Sequence, residues 1–144
     1  MDTGYGVLDY KLRVDPRVEV LERTNALHVQ PPEGGVDLVV ADLSWTRQER
    51  FLPTARRWLR ETPGASILTL VKPHYEVEPP ERDRLVKGVL PEEVATAVQN
   101  RLMNRLPALG FEVLGSTPSP IRGGGSRSGR EGNREFLVLL RPEG

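Results

Sequence analysis

The 144-residue sequence has no cysteine. That excludes disulfides, thiolate metal sites and a cysteine nucleophile. Its two histidines, His28 and His74, are too few for a histidine-rich metal centre. No apolar run approaches the roughly 18 residues that a membrane span requires, so no membrane partner is expected. The N-terminus Met1-Asp2-Thr3-Gly4 has neither a basic nor an apolar leader region and does not read as a secretory signal. Lysine is also scarce. Lys11, Lys72 and Lys87 are the only three, and the other 17 of the 20 basic residues are arginine. Net charge is zero, with 20 acids against 20 bases.

Hydrophobic residues make up 38%, and 14 glycines bring the total near that of an ordinary globular domain. The length suits one domain with a real core. Neutrality is global and not local. Residues 47–60 carry Arg47, Arg50, Arg56, Arg57 and Arg60 against Glu49 alone. Residues 122–134 carry Arg122, Arg127, Arg130 and Arg134 against Glu131. Acids collect elsewhere, as at Glu76, Glu78 and Glu81. Such basic segments are either solvated charge or contacts to phosphate.

Hydrophobic patterning predicts strands alternating with helices. Val18–Leu21 is a short strand candidate. Val36–Asp42 is a stronger one, and its near-continuous apolar run is typical of a parallel strand covered on both faces. Thr46-Arg47-Gln48-Glu49 fits a capping box, so a helix is expected from there to about Glu61, with Pro53 implying a kink or a later start. Ser66–Lys72 is a second buried strand. Residues 73–90 read as irregular. Pro91-Glu92-Glu93 opens another helix, with Val94, Val98, Leu102, Met103 and Leu106 as its apolar stripe and Gly110 as its stop. Phe111–Gly115 and Phe136–Leu140 are the last strands, joined by the Gly/Ser/Arg-rich loop Arg122–Gly132. Two strands joined without a helix imply an antiparallel pair. The expectation is an α/β chain whose parallel units end in an antiparallel hairpin.

In open α/β sheets, ligands bind beyond the carboxyl ends of parallel strands. Asp42 and Lys72 fall there. The last strand runs the other way, so Glu135, at its start, lies at the same edge. A lysine between two carboxylates is held charged and can orient or activate a nucleophile. The plainer reading is an ion pair closing the sheet end. Other residues carry weaker signals. Gly4-Tyr5-Gly6 follows no strand and is no phosphate fingerprint. Gly123-Gly124-Gly125 precedes no helix and reads as linker. His74 lines the edge, more as a packing residue than a catalyst. Trp45, Trp58 and Phe51 read as core, with Trp45 also placed to stack on a base.

Four segments then fall into a recognisable series. Asp37–Trp45 (DLVVADLSW), Leu70–Glu76 (LVKPHYE), Ser119–Gly123 (SPIRG) and Gly132–Phe136 (GNREF) resemble the TlyA, or haemolysin-A, family. That family belongs to the FtsJ-like S-adenosylmethionine-dependent RNA 2′-O-methyltransferases. Asp2–Gly6 and Leu21–Asn25 resemble its cofactor-side segments. The resemblance implies a Rossmann-like methyltransferase sheet, a cytoplasmic setting and a ribosomal RNA substrate. It implies a Lys-Asp-Lys-Glu tetrad, of which Asp42, Lys72 and Glu135 match the last three members. It assigns Asp2, Gly4, Glu22, Asn25 and Asp42 to the cofactor. Arg47, Arg122, Arg127, Arg130 and Arg134 are the arginines expected to meet RNA.

Against that pattern, the family's RNA-binding S4 domain, first lysine and glycine-rich cofactor loop have no counterpart in this sequence. Residues 1–144 are therefore expected to form one N-terminally truncated FtsJ-like domain. Its N-terminal strands would be missing, and Asp37–Asp42 would be left as an open edge. Such a chain is expected to self-associate or to accept an N-terminal fragment. Two alternatives stand beside this reading. One is a non-catalytic remnant that binds RNA or a partner. The other is a methyltransferase for a non-RNA substrate.

Overall fold

The structure is a computed structural model and describes residues 1–124 and 132–143. Element order is α1 (Tyr10–Arg13), β1 (Leu38–Asp42), α2 (Gln48–Trp58), β2 (Ser66–Val71), α3 (Pro73–Glu76), α4 (Pro79–Arg82), α5 (Glu92–Arg105), a 3₁₀ turn (Pro107–Leu109), β3 (Phe111–Pro118) and β4 (Phe136–Pro142). The four strands form one sheet in the order β1-β2-β4-β3. β1 and β2 are parallel, and β4 runs antiparallel to both β2 and β3. Three strands thus point one way, although only one adjacent pair is parallel.

The expected strand Val18–Leu21 does not form. Its neighbourhood makes scattered backbone bonds without a ladder, from Asp2 N–H to the Leu21 carbonyl at 2.9 Å, from Arg23 N–H to the Gly4 carbonyl at 3.0 Å and from Thr24 N–H to the Asp2 carbonyl at 3.0 Å. A run of β-formers without a ladder partner gains too little to order as a strand. β1 lies at the sheet edge. The expected cover on both faces is also absent. Ala41, Ile67, Thr69, Val71, Val138 and Leu140 are buried on one face. The other face leaves Val40 68% and Leu139 36% exposed.

The covered face meets α2 and the C-terminal half of α5. Phe51, Leu52 and Ala55 from α2 join Leu102 and Leu106 in one cluster with the strands. Pro53 lies inside α2 without ending it. The N-terminal half of α5 contributes Val94, Ala95 and Val98 to a second cluster with Val77 and Leu90. The segment expected to be irregular therefore packs as two one-turn helices and a tight turn. Ion pairs fix it to α5, with Arg105 meeting Glu78 at 2.9 Å and Arg101 meeting Glu81, while Arg105 also reaches Glu49 of α2 at 3.3 Å. Gly110, at φ +79°, ends the 3₁₀ turn in the left-handed region that glycine tolerates. Leu114 is an extra residue in β3, a bulge between the pairs Val113–Leu140 and Gly115–Leu139.

The capping box expected at Thr46–Glu49 is not used. Arg47 holds the N-cap position with no side-chain cap bond. The backbone N–H of Gln48 instead donates to Glu76 Oε1 at 2.7 Å. A buried carboxylate from α3 thus satisfies a free amide at the start of α2, where the helix dipole favours negative charge. Burial raises the Glu76 carboxyl above its ordinary range, opposed by the Gln48 amide and the Arg47 charge. Gln48 in turn accepts from Thr69 Oγ1 at 3.0 Å. Glu76→Ala leaves that amide without its acceptor and should cost about 1–3 kcal/mol in urea denaturation, whereas Glu76→Gln retains an acceptor and should cost less. Equal midpoints for the two variants and the parent chain would show that the bond carries no stability.

Candidate active site at the sheet edge

Register alone brings three remote residues together. Asp42 pairs with Leu70 across the parallel ladder. Val71 pairs with Phe136 across the antiparallel one. One step further along, Lys72 stands opposite Glu135. The Lys72 ammonium meets Asp42 Oδ1 at 2.6 Å and reaches Ser44 Oγ at 3.4 Å. Lys72 exposes 14% of its side chain and Asp42 66%. This is a mostly buried cation held by a carboxylate that still faces solvent.

Glu135 is buried and forms no ion pair within 4.0 Å among the described residues. Burial pushes its carboxyl above the ordinary range. The Lys72 charge draws it down, and the Asp42 charge pushes it up again. Two carboxylates and one ammonium thus share one sheet end, an arrangement found at catalytic centres.

A cleft of about 900 Å³ opens over this trio. His74, Trp45, Tyr75, Arg47 and Asn133 also line it. His74 Nδ1 is buried with no hydrogen-bond partner among the described residues. Burial, and then the Lys72 charge, pushes its imidazole down to about 4. It is therefore neutral near pH 7. Trp45 is no core residue: it is 85% exposed. It adopts φ +63° and packs on Tyr75 with ring centroids 4.8 Å apart. An exposed tryptophan in a strained left-handed conformation beside a cleft is a feature of ligand-contacting sites. Phe51 is buried in the main core as expected, and Trp58 is half-buried.

A second hollow, about 680 Å³, runs along the edge of β1. Asp2, Asn25 and Asp42 line it together with the apolar Leu27, Val39 and Leu43. Gly4 and Glu22, the other two residues assigned to this side, lie outside it. Gly4 N–H donates to Asp2 Oδ1 at 2.6 Å. Glu22 accepts from Gly6 N–H at 2.8 Å and pairs with Arg13, which holds its carboxyl below the ordinary range. Asp42, Ser44 and Trp45 line both hollows, so the two share one wall.

The arginines divide. Arg47 lines the larger cleft and donates to the Val77 carbonyl at 2.7 Å. Arg122 and Arg134 both pair with Glu92, the former at 3.1 Å. Arg127 and Arg130 lie outside the described residues.

Patterning misses Tyr75, Asn133 and Gly123. Tyr75 adjoins Lys72 and was readable only as a neighbour. Asn133 acts through contacts 43 and 45 residues away, which no local signal reports. Gly123 bridges to Asn133 through two backbone bonds of 2.9 and 2.7 Å. A Cβ there would stand 1.8 Å from Glu135 Oε1, so only glycine lets that carboxylate lie where it does. Gly123→Ala should therefore destabilise by about 1–3 kcal/mol, the usual cost of overpacking. Glu135→Ala in the same chain should relieve the clash, giving a double-mutant coupling above about 0.5 kcal/mol. Additive single effects would remove the contact from the account.

Comparison with known proteins supplies the context. The profile of the FtsJ-like methyltransferase family matches residues 1–141. The 16S/23S rRNA (cytidine-2′-O)-methyltransferase TlyA of Mycobacterium tuberculosis is 36% identical over 146 residues, covering 99% of this chain and 50% of that protein. The candidate rRNA methyltransferase YqxC of Bacillus subtilis is 34% identical over 144 residues, covering 97% of this chain and 48% of that protein. A solved structure of a candidate hemolysin from Streptococcus thermophilus superposes with a TM-score of 0.82 at 30% identity, covering 98% of this chain and 49% of that one. The chain spans about half the length of the curated relatives it matches.

Proposed function

The chain belongs to the FtsJ-like methyltransferase family, and on that premise we propose that it carries the catalytic and cofactor-side residues of an S-adenosylmethionine-dependent RNA 2′-O-methyltransferase acting on ribosomal RNA. The observation that carries the proposal is the Asp42–Lys72 pair at 2.6 Å, with buried Glu135 opposite it at the end of the parallel strands.

The donor set of the smaller hollow fits a nucleoside cofactor. The Asp2 carboxylate suits a ribose diol, Asn25 offers amide donors and acceptors, and Leu27, Val39 and Leu43 form an apolar wall for a base. S-adenosylmethionine bound there supplies a methyl group on a sulfonium centre. The larger cleft receives the nucleotide. The Lys72 ammonium orients the ribose 2′-hydroxyl by donating to its oxygen, which would take the methyl group from the sulfonium while the hydroxyl proton passes to solvent water. Asp42 aims the ammonium through their 2.6 Å ion pair. Glu135, with its raised affinity for a proton, sets the charge around Lys72 from the other side. Trp45 and Tyr75 offer an aromatic surface on which a base stacks. Arg47, Arg122, Arg127, Arg130 and Arg134 are assigned to the RNA backbone, and the setting is cytoplasmic. Among the described residues, no helix is long and apolar enough to cross a membrane.

Calorimetric titration with S-adenosylmethionine should give saturable heat, and methyl transfer to ribosomal RNA should follow. Lys72→Ala should slow that transfer by on the order of 100-fold or more while leaving cofactor heat in place. Unchanged transfer in the variant would end the catalytic assignment. Absence of cofactor heat at millimolar ligand, with RNA binding intact, would favour the non-catalytic remnant.

The proposal extends to the free edge of β1. Among the described residues, Leu38–Asp42 pairs in a ladder only with β2, and a strand with one open side is a template for another chain. A second copy takes this edge when no N-terminal segment is supplied. Sedimentation velocity should show association that rises with concentration and is weakened by Val40→Lys. A monomer at all concentrations would contradict it.

A further inference from the structure

Among the described residues, four cations line the larger cleft: Arg47, Lys72, Arg82 and Lys87. Two are engaged. Lys72 meets Asp42, and Arg47 donates to the Val77 carbonyl. The side chains of Arg82 and Lys87 make no hydrogen bond or ion pair among the described residues. Most guanidiniums elsewhere are matched to carboxylates, as Arg101 is to Glu81 and Arg134 to Glu92. Within this cleft, unmatched positive charge thus falls on the wall formed by α4 and the turn after it.

That turn is built to hold its lysine. Val86 and Val89 exchange backbone bonds of 2.9 and 3.0 Å. Lys87 and Gly88 between them have φ +52° and +81°, the type I′ arrangement whose first central position favours asparagine or glycine. A lysine held there is in a conformation unfavourable for its side-chain type. Buried Asn133 fixes the turn from behind. Its Nδ2 donates to the Gly88 carbonyl at 2.9 Å, and its Oδ1 accepts from Leu90 N–H at 2.9 Å. Asn133 lies two residues before Glu135, so the turn and that carboxylate share one support. The cation is therefore presented at a set place relative to the Lys72 centre.

We propose that Arg82 and Lys87 form a phosphate subsite. It takes a phosphodiester of the RNA strand beside the target nucleotide and fixes the register in which a ribose reaches Lys72. This inference rests on the RNA reading above. Contacts of this kind position a strand without reading its sequence. They act as point charges that displace counterions.

The test is the salt dependence of binding. A labelled single-stranded RNA oligonucleotide is titrated with the full 144-residue chain over a range of salt concentrations, with fluorescence anisotropy as the readout. Arg82→Ala and Lys87→Ala should each reduce the slope of log affinity against log salt by about 0.7, the value for one phosphate contact on a single strand. Lys87→Arg should keep the slope of the parent chain, and Lys11→Ala, an equal charge change outside the cleft, should leave it unmoved. Unchanged slopes in Arg82→Ala and Lys87→Ala, with the parent chain binding RNA, overturn the subsite and leave the RNA reading standing. An equal fall in Lys11→Ala assigns the effect to diffuse charge and also overturns the subsite. No RNA binding by the parent chain overturns both readings.

Discussion

Strand β2 is paired on both sides, parallel to β1 and antiparallel to β4, and the placement of every candidate reactive group follows from that double ladder. Side chains alternate faces along a strand, and a slip of one residue turns each of them to the other side of the sheet. The ladders therefore fix which atoms meet at the end of β2. The parallel partner delivers Asp42 and the antiparallel partner delivers Glu135. The chain leaving β2 supplies Lys72. Both ladders are backed by Ile67, Thr69, Val71, Val138 and Leu140. The same residues that exclude water from the covered face thereby hold the site in register.

The trio was legible in the sequence because it depends on strand ends and strand direction alone. Apolar runs ending in Asp42 and Lys72 gave two members, and the helix-free link before Phe136 reversed the third strand and brought Glu135 to the same edge. What was not legible depends on contacts remote along the chain. The start of α2 reads locally as a Thr46–Glu49 box, but a carboxylate 28 residues away serves it. Trp45 reads as core by residue type, yet the chain leaving β1 turns it outward onto Tyr75. Val18–Leu21 has the composition of a strand and lacks a neighbour to pair with. Local patterns report propensity, whereas pairing and packing decide which propensities are realised.

Charge is distributed with the same economy. A sequence of zero net charge folds so that most cations meet a carboxylate nearby, and the segment rich in acids becomes the partner of Arg101 and Arg105 on α5. Exposed pairs of this kind add little stability each. Their larger effect here is to tie α4, which forms one wall of the cleft, to α5 behind it. Among the described residues, cations left without a carboxylate lie in patches, Arg82 and Lys87 on that wall and Arg50 and Arg57 on α2. A polyanion approaching a neutral molecule would meet attraction at such patches rather than everywhere.

β1 is held by one ladder, whereas β2 and β4 are each held by two. Protection against hydrogen exchange should follow this gradient, with the amides of β1 opening before those of the central strands. Asp42 belongs to an edge strand, and Lys72 and Glu135 flank the two central ones. The Asp42–Lys72 pair thus spans a boundary between the centre of the sheet and its edge. Whatever steadies β1 from outside also steadies Asp42 against Lys72, so binding along that edge and readiness of the site are thermodynamically linked.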